Sequence, residues 1–184
     1  MLIAVAILVG VLLACVCGAE WSTLADLRLR AAPIAFAALA IQFLIFTPAS
    51  PPLADRAEVS LHVASYFLLL VFLVVNIRLP GLWLPALGFA LNLLVIAANG
   101  GRMPVSPEAW RLAGGAAPVS AGTSYHNVFL ANSNSHLRWF GDVLPIPVQP
   151  FVNVLSIGDL LLVIGITSFV YRASRARTDS EHGG

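Results

Sequence analysis

The stretch that decides the fold is residues 59–77, VSLHVASYFLLLVFLVVNI, which are apolar almost throughout. A helix needs about 20 mostly apolar residues to cross about 30 Å of hydrocarbon, and this stretch comes close to that length. The whole chain of 184 residues is 59% hydrophobic and only 10% charged, a composition typical of proteins that fold in lipid. The lipid bilayer is therefore the first expected partner.

Four further apolar segments lie on either side of this stretch. They predict an all-α polytopic membrane protein with five transmembrane helices. Residues 1–171 would form one transmembrane domain, and residues 172–184 would form a short cytoplasmic tail. The predicted spans are residues 2–18, 31–46, 59–77, 82–98 and 151–171.

The arginines predict the orientation, because short cytoplasmic loops collect positive charge. Five spans place the arginines of the first loop, the third loop and the tail on one side; these are Arg28, Arg30, Arg78, Arg172, Arg175 and Arg177. The N-terminus is then expected outside and the C-terminus in the cytoplasm. All ten basic residues are arginine and the net charge is +1, so nucleic acid is not an expected partner.

The loop over residues 100–150 is predicted to be extracytoplasmic and structured. Ser106, Pro107 and Glu108 combine an N-cap residue, a proline at the first helical position and an acid in the first turn. This combination predicts a short helix within the loop. The loop as a whole is expected to fold back over the outer end of the helices.

Asp159 is the ionisable residue whose position most needs an explanation, because it lies inside the predicted last span. A carboxylate at such a position costs about 2.5–3.5 kcal/mol on insertion scales. One interpretation is a capping box, in which Ser156 caps the helix and Asp159 reaches back to a free backbone amide. The other interpretation is a functional site near the outer surface. The same residue could serve both purposes.

Asp142 is the second carboxylate of interest, although a Gly-Asp pair is also ordinary turn chemistry. The proline-rich return from Asp142 to the last span could bring it beside Asp159. Two carboxylates that share a poorly hydrated site cannot both ionise easily, so one keeps a proton. Such a pair supplies a general acid and a general base together.

The predicted fourth span carries further polar residues on one helical face. Gly88 and Asn92 lie four residues apart and are interpreted as a packing face between helices. Asn99 and Arg102, at the outer end of this span, lie at the depth expected for the two aspartates. They are predicted to bind a substrate or a lipid. Arg102 could instead pair with Asp142 or Asp159, or it could bind an anionic headgroup.

A weaker pattern occurs at the start of the third predicted span. Its polar residues share one helical face, and they are Glu58, His62, Ser65 and Tyr66. The pattern is typical of an ion pair with an aromatic anchor at the membrane interface.

Metal and cofactor chemistry find little support in the sequence. His126 and His136 together with Asp142 could bind a metal, but their spacing is no recognised zinc pattern. No metal site and no cofactor are predicted. The sequence also lacks a nucleophile elbow, a P-loop and a dinucleotide fingerprint.

Three short motifs resemble a bacterial membrane protein family that is catalogued only as a domain of unknown function. They are NGGRMPV at residues 99–105, FGDVLP at 140–145 and SIGD at 156–159. The likeness covers nearly the whole chain. It implies a multi-pass protein of the bacterial cytoplasmic (inner) membrane and implies no activity.

The last third of the chain is also similar to lipoprotein signal peptidase, the intramembrane aspartyl enzyme called signal peptidase II. In that family one catalytic aspartate lies near the outer end of a span and the next opens the final helix. The resemblance implies that Asp142 and Asp159 form a catalytic pair. It places Asn153 and Ser156 in the motif before the second aspartate, with Ser156 where the family has asparagine.

Two kinds of function follow from these patterns. The first is a non-catalytic membrane module that binds a lipid or another membrane protein through a polar site at the outer face. The second is an aspartyl-type hydrolase that uses Asp142 and Asp159 to activate water. A proton-coupled carrier through Asp159 is a third, but further carboxylates deeper in the bundle are missing from the sequence. The absence of a motif whose spacing dictates its geometry favours the non-catalytic module.

Overall fold

The computed structural model describes residues 12, 15, 27–46, 55–114, 124–125, 128–148 and 153–173. Its helices are α1 (Ala32–Phe46), α2 (Asp55–Val75), α3 (Trp83–Ala98), α4 (Pro107–Leu112) and α5 (Ile157–Ala173). Its strands are β1 (Met103–Val105), β2 (Ser124–Tyr125), β3 (Val128–Leu130), β4 (Asp142–Ile146) and β5 (Asn153–Ser156). A short 3₁₀ helix, Arg138–Phe140, immediately precedes β4.

The four long helices form one layer, in which α1 packs on α2, α2 on α3, and α3 on α5. Their shared core consists of apolar residues from all four helices and from the turn before α3, namely Ala38, Leu69, Leu73, Leu82, Ala86, Phe89 and Leu162. The turn between α2 and α3 is tight because Gly81 adopts a φ of +95°, which L side chains rarely adopt. Pro85 lies in the first turn of α3, where a missing backbone N–H is tolerated.

Asn76 fixes the start of α1 to the end of α2. Its Oδ1 accepts a hydrogen bond from the Arg30 backbone N–H at 2.8 Å, and its Nδ2 donates to the Arg30 carbonyl at 2.8 Å. The side chain is buried, so these bonds satisfy a polar group that would otherwise cost free energy. This contact lies at the end of the helical layer that is remote from the strands.

The second layer is a five-stranded mixed sheet with the order β2-β3-β1-β4-β5. The central strand β1 pairs in parallel with β3 and β4, while β4 and β5 pair antiparallel, with Asp142 opposite Ser156. Helix α4 packs on this sheet through a small core of Val105, Ala109, Ala113 and Val154. Ser106 caps α4 by accepting a hydrogen bond from the Ala109 N–H at 3.3 Å, as the sequence predicts.

The prediction of an all-α fold is wrong, because the described residues contain this sheet. The predicted outer loop contributes β1 to β4, and the first residues of the predicted last span form β5. Strands β1, β3, β4 and β5 are three to five residues long, and β1 and β4 each contain a proline. Such short segments show no regular alternation, and their pairing depends on partners distant in sequence.

The prediction of five transmembrane helices is also wrong. Among the described residues, a single helix, Arg56–Val75, is long and apolar enough to cross a membrane. The helices over residues 32–45 and 83–98 are apolar but shorter, and α5 has 17 residues because it starts only at Ile157. The predicted first span, residues 2–18, lies outside the described residues apart from Leu12 and Cys15. The tail over residues 172–184 is described only as far as Ala173.

The contact between α3 and α5 gives a first test of this fold. A Cβ at Gly158 would lie 2.7 Å from the Gly88 carbonyl oxygen and would collide with the Asn92 side chain. We therefore expect Gly158→Ala to lower the free energy of unfolding by about 1–3 kcal/mol, because the helices must separate. Thermal and denaturant unfolding followed by circular dichroism measures this change.

Ala97→Ser is the matched control, since it adds one atom at an exposed position of α3. It should change the stability by less than about 0.5 kcal/mol. Equal stability of the Gly158→Ala variant and the wild type would contradict the close approach of the two helices.

Candidate functional site

Asp159 lies in the first turn of α5, and both of its carboxylate oxygens accept hydrogen bonds. Ser156 N–H donates to Oδ2 at 3.0 Å, and in return the Asp159 N–H donates to Ser156 Oγ at 2.9 Å. This is the capping box that the sequence predicts. It satisfies two backbone amides at the point where β5 ends and α5 begins.

Asn92 of α3 closes these bonds into a ring. Its Nδ2 donates to Asp159 Oδ1 at 2.9 Å, and its Oδ1 accepts from Ser156 Oγ at 2.8 Å. Asn92 and Ser156 are both fully buried. We call the side chains of Asn92, Ser156 and Asp159 the polar ring. Gly88 and Asn92 thus lie at a contact between helices, as the interpretation of a packing face expects, and the structure adds the partners of the amide, Ser156 and Asp159.

Two glycines allow the polar ring to form. A Cβ on Gly88 would lie 2.5 Å from the Gly158 carbonyl oxygen, and a Cβ on Gly158 would overlap the Asn92 amide. Any larger residue would therefore hold α3 and α5 too far apart for Asn92 to reach Asp159. The sequence offers one signal for this site, an asparagine that lies one helical turn after a glycine in an apolar helix.

Asp142 begins β4 directly across the sheet from Ser156. Its carbonyl oxygen accepts a hydrogen bond from the Ser106 N–H at 2.8 Å, which fixes its backbone against the start of α4. The pairing with β5 is irregular between Asp142 and Leu144, and such bulges redirect side chains at the end of a strand. The preceding Gly141 lies so close to the Pro104 carbonyl that no side chain fits there.

The two aspartates interact electrostatically. Burial raises the pKa of Asp142 well above its ordinary value, and repulsion from Asp159 raises that pKa further. Asp159, by contrast, receives hydrogen bonds on both oxygens. The structure thus combines a desolvated carboxyl group that favours its protonated form, that of Asp142, with a second carboxyl group whose two oxygens both accept hydrogen bonds.

Tyr66 of α2 is the third polar group near this pair, since its phenol lies within electrostatic range of both aspartates. Its ring packs edge-on against Phe89 at a centroid distance of 5.4 Å, and against buried His62 at 5.0 Å. The sequence places Tyr66 and His62 on one helical face but gives no reason to connect them with the aspartates. We call Tyr66, Asp142 and the polar ring the carboxylate site.

Asn99 lies outside the carboxylate site and anchors the segment before β4. Its Oδ1 accepts from the His136 N–H at 2.9 Å, and its Nδ2 donates to the carbonyls of His136 at 2.9 Å and Val95 at 2.8 Å. The side chain of Arg102, three residues later, is partly buried. The hydrogen bonds of the Asn99 side chain thus go to α3 and to the segment before β4, not to the polar ring.

Asn153 is also remote from the carboxylate site. It is exposed at the far end of β5, opposite Ile146, and its Oδ1 accepts from the neighbouring Val154 N–H at 2.9 Å. The structure therefore brings together Asp142, Ser156 and Asp159 from the predicted set. It does not bring Asn153 to them.

The described residues contain no group of three or more His, Cys, Asp and Glu side chains that could hold a metal ion. His136 is exposed and takes part in the structure through its backbone bonds to Asn99. His126, the other histidine considered for a metal, lies outside the described residues.

Comparison with known proteins assigns a family but no activity. The chain belongs to DUF5317, a family of unknown function whose model matches residues 26–171. This confirms the family resemblance seen in the sequence motifs. No curated protein and no solved structure matches the chain. The similarity to lipoprotein signal peptidase therefore stays a prediction.

The contrast between the two aspartates predicts opposite effects of the same substitution. The pKa of Asp142 is raised on folding. The favourable contribution of Asp142 to the free energy of unfolding is therefore fully present below its ordinary pKa and is lost as the pH rises through the raised pKa. Because asparagine does not ionise, Asp142→Asn removes this loss of stability at high pH. We expect the variant to unfold at a higher temperature than the wild type at neutral and alkaline pH, with a smaller decline as the pH rises. Thermal unfolding midpoints between pH 4 and 9 measure this.

Asp159→Asn is the contrasting variant, because an amide nitrogen would replace one of two accepting oxygens and face another donor. It should lower the free energy of unfolding by about 2 kcal/mol or more. If Asp142→Asn destabilised the protein as much as Asp159→Asn at neutral pH, Asp142 would be a hydrogen-bonded structural residue instead.

Proposed function

We propose that this protein is a non-catalytic integral membrane module that binds a lipid or a membrane partner through its sheet layer. The observation that carries the proposal is the exposure of large apolar side chains on all four long helices. Examples are Phe36 at 72%, Phe67 at 57%, Leu94 at 57% and Ile164 at 47% exposed. Large exposed apolar surfaces are rare on soluble proteins, whereas lipid solvates apolar side chains.

The distribution of arginine supports an orientation in which the sheet layer lies outside the cytoplasm. Arg30 is bound to Asn76 at the end of α2, and Phe169 near the end of α5 packs on Gly81 in the turn before α3. Arg30, Arg78 and Arg172 therefore lie at the end of the helical layer remote from the sheet. Positive charge collects in short cytoplasmic connections, whereas Arg102, Arg111 and Arg138 of the sheet layer are spread over a long segment. The proposed location is therefore the bacterial inner membrane, with the sheet layer on its outer face.

The polar ring supports a structural role for Asp159. Asn92, Ser156 and Asp159 are joined to one another by four hydrogen bonds. The side chains of Asn92 and Ser156 are fully buried. A carboxylate held in this way fixes the sheet layer to the helical layer. The proposed binding surface is then the exposed part of the sheet layer, and the polar ring holds this layer against the helices.

Alkaline carbonate extraction of membranes that contain the full chain tests the proposal. We expect the wild type to stay in the membrane pellet. Leu39→Glu places a charge at the centre of α1, on the proposed lipid face, where it costs about 2.5–3.5 kcal/mol. It should lower the fraction of protein retained in the pellet.

Leu112→Glu is the matched control, because Leu112 is equally apolar and is 54% exposed, but lies on α4 in the sheet layer. It should be retained like the wild type. Release of the wild-type protein as a soluble monomer would refute membrane embedding.

A second function, an aspartyl-type hydrolase, is favoured by the electrostatic coupling of Asp142 and Asp159. In this mechanism the two aspartates would supply a general acid and a general base together, with Asp142 as the protonated partner. The resemblance to lipoprotein signal peptidase implies the same catalytic pair. The engagement of both Asp159 oxygens in the polar ring speaks against this arrangement, because the base must be free to accept a proton.

Mass spectrometry of a lipidated peptide incubated with the purified full chain tests hydrolysis. If the aspartates are catalytic, the wild type forms a cleaved product and Asp142→Asn forms at least about 100-fold less, the usual contribution of acid–base catalysis. Arg111→Gln, a change at an exposed residue of α4 outside the carboxylate site, should leave cleavage unchanged. No product from the folded wild type would remove the hydrolase candidate.

A further inference from the structure

A cleft of about 370 Å³ opens in the sheet layer, and none of its lining residues belongs to the polar ring. Its lining includes Ser106, Glu108, Asn132, Arg138 and Trp139. Its volume lies at the lower end of the range for small-molecule sites, which suits a compact polar group. Val143, which follows Asp142 in β4, forms part of its wall.

The cleft presents one negative and one positive side chain. Both Glu108 and Arg138 are exposed, and within the described part of the chain no ion pair joins either of them to another residue. The guanidinium carbon of Arg138 lies 5.0 Å from the Trp139 ring centroid, so the indole holds the cation beside the cleft. A ligand that carries both charges would complement this arrangement.

Neutral hydrogen-bonding groups complete the lining. The Oδ1 of Asn132 accepts from the Asn134 N–H at 2.9 Å, which orients the side chain, and no described residue accepts from its Nδ2. Ser106 Oγ accepts from the Ala109 N–H, which leaves its hydroxyl proton to donate. These two donors and Arg138 together suit the oxygens of a phosphate group.

One rim of the cleft carries Arg138 and Trp139, which belong to an apolar segment anchored by hydrogen bonds. The segment from Leu137 to Phe140 exposes Leu137 at 40%, Trp139 at 72% and Phe140 at 42%. Leu137 adopts a φ of +51°, a left-handed conformation that costs a leucine about 1–2 kcal/mol. The paired bonds between Asn99 and the His136 backbone hold the segment in place. A strained, anchored segment that exposes three apolar side chains is typical of a functional contact.

We infer that this cleft binds the zwitterionic phosphoethanolamine headgroup of a membrane phospholipid. The phosphate accepts hydrogen bonds from Arg138, and the primary ammonium donates to Glu108. The acyl chains leave over Trp139 and Phe140 towards the outer end of α3, which the 3₁₀ helix contacts. The inference rests on the proposed membrane location, since only that location brings phospholipid to the cleft.

Isothermal titration of the full chain in a nonionic detergent tests the headgroup. The ligands are short-chain phosphatidylethanolamine, phosphatidylcholine and phosphatidylglycerol, together with water-soluble phosphoethanolamine. We expect phosphatidylethanolamine to bind about tenfold more tightly than phosphatidylcholine, whose quaternary ammonium has no N–H to donate. Phosphatidylglycerol, which lacks the cation, should also bind about tenfold less tightly.

Three substitutions assign the contacts. Glu108→Gln should remove the preference for ethanolamine over choline. Arg138→Gln should weaken the binding of every phospholipid about tenfold. Arg111→Gln is the matched control, since it removes an exposed positive charge from α4 without touching the cleft. Its binding should equal that of the wild type.

Several results would overturn the inference. These are equal affinity for the three lipids, no effect of Glu108→Gln on headgroup preference, or an equal loss of lipid affinity in Arg111→Gln and Arg138→Gln. If soluble phosphoethanolamine bound as tightly as the lipid, the apolar rim would have no role and the lipid source would be wrong. The membrane proposal fails separately, through release of the protein by carbonate, so the two failures are distinguishable.

Discussion

The structure depends on the polar ring of Asn92, Ser156 and Asp159. These side chains belong to α3, to the end of β5 and to the first turn of α5, so their hydrogen bonds join the helical layer to the sheet layer. The contact forms only because Gly88 and Gly158 let the helices approach until backbone nearly touches backbone. A buried polar network is costly when it is incomplete, and here each partner satisfies the next.

The polar ring also determines the character of Asp142. Strand β4 pairs with β5, so Asp142 is held opposite Ser156 and near a carboxylate that cannot move away without breaking the ring. Desolvation and this fixed neighbour together raise the pKa of Asp142. Two chemically identical side chains thus acquire different properties from their surroundings, as pairs of carboxylates in proteins often do.

The two layers expose different surfaces, and this difference motivates the functional proposals. The long helices expose phenylalanine and leucine, which suits lipid. The sheet layer exposes a cleft with charges of both signs and an aromatic rim. In the proposed arrangement, α3 and α5 hold the sheet layer at the membrane surface, where its cleft meets phospholipid headgroups. Asn99 then links the two surfaces, because it caps α3 and anchors the segment that carries the rim.

The sequence by itself determined the helices over residues 32–46, 55–75 and 83–98 to within a few residues of the predicted bounds, since long apolar runs have few other solutions. It also determined the caps at Ser106 and Ser156, because a cap depends on neighbours three residues away. The tertiary structure alone decided the sheet, whose strands are too short to show a period and pair across as many as 37 residues, as Val105 does with Asp142. It alone brought Asn92 and Tyr66 to the aspartates, because contacts between helices depend on packing that no local pattern records.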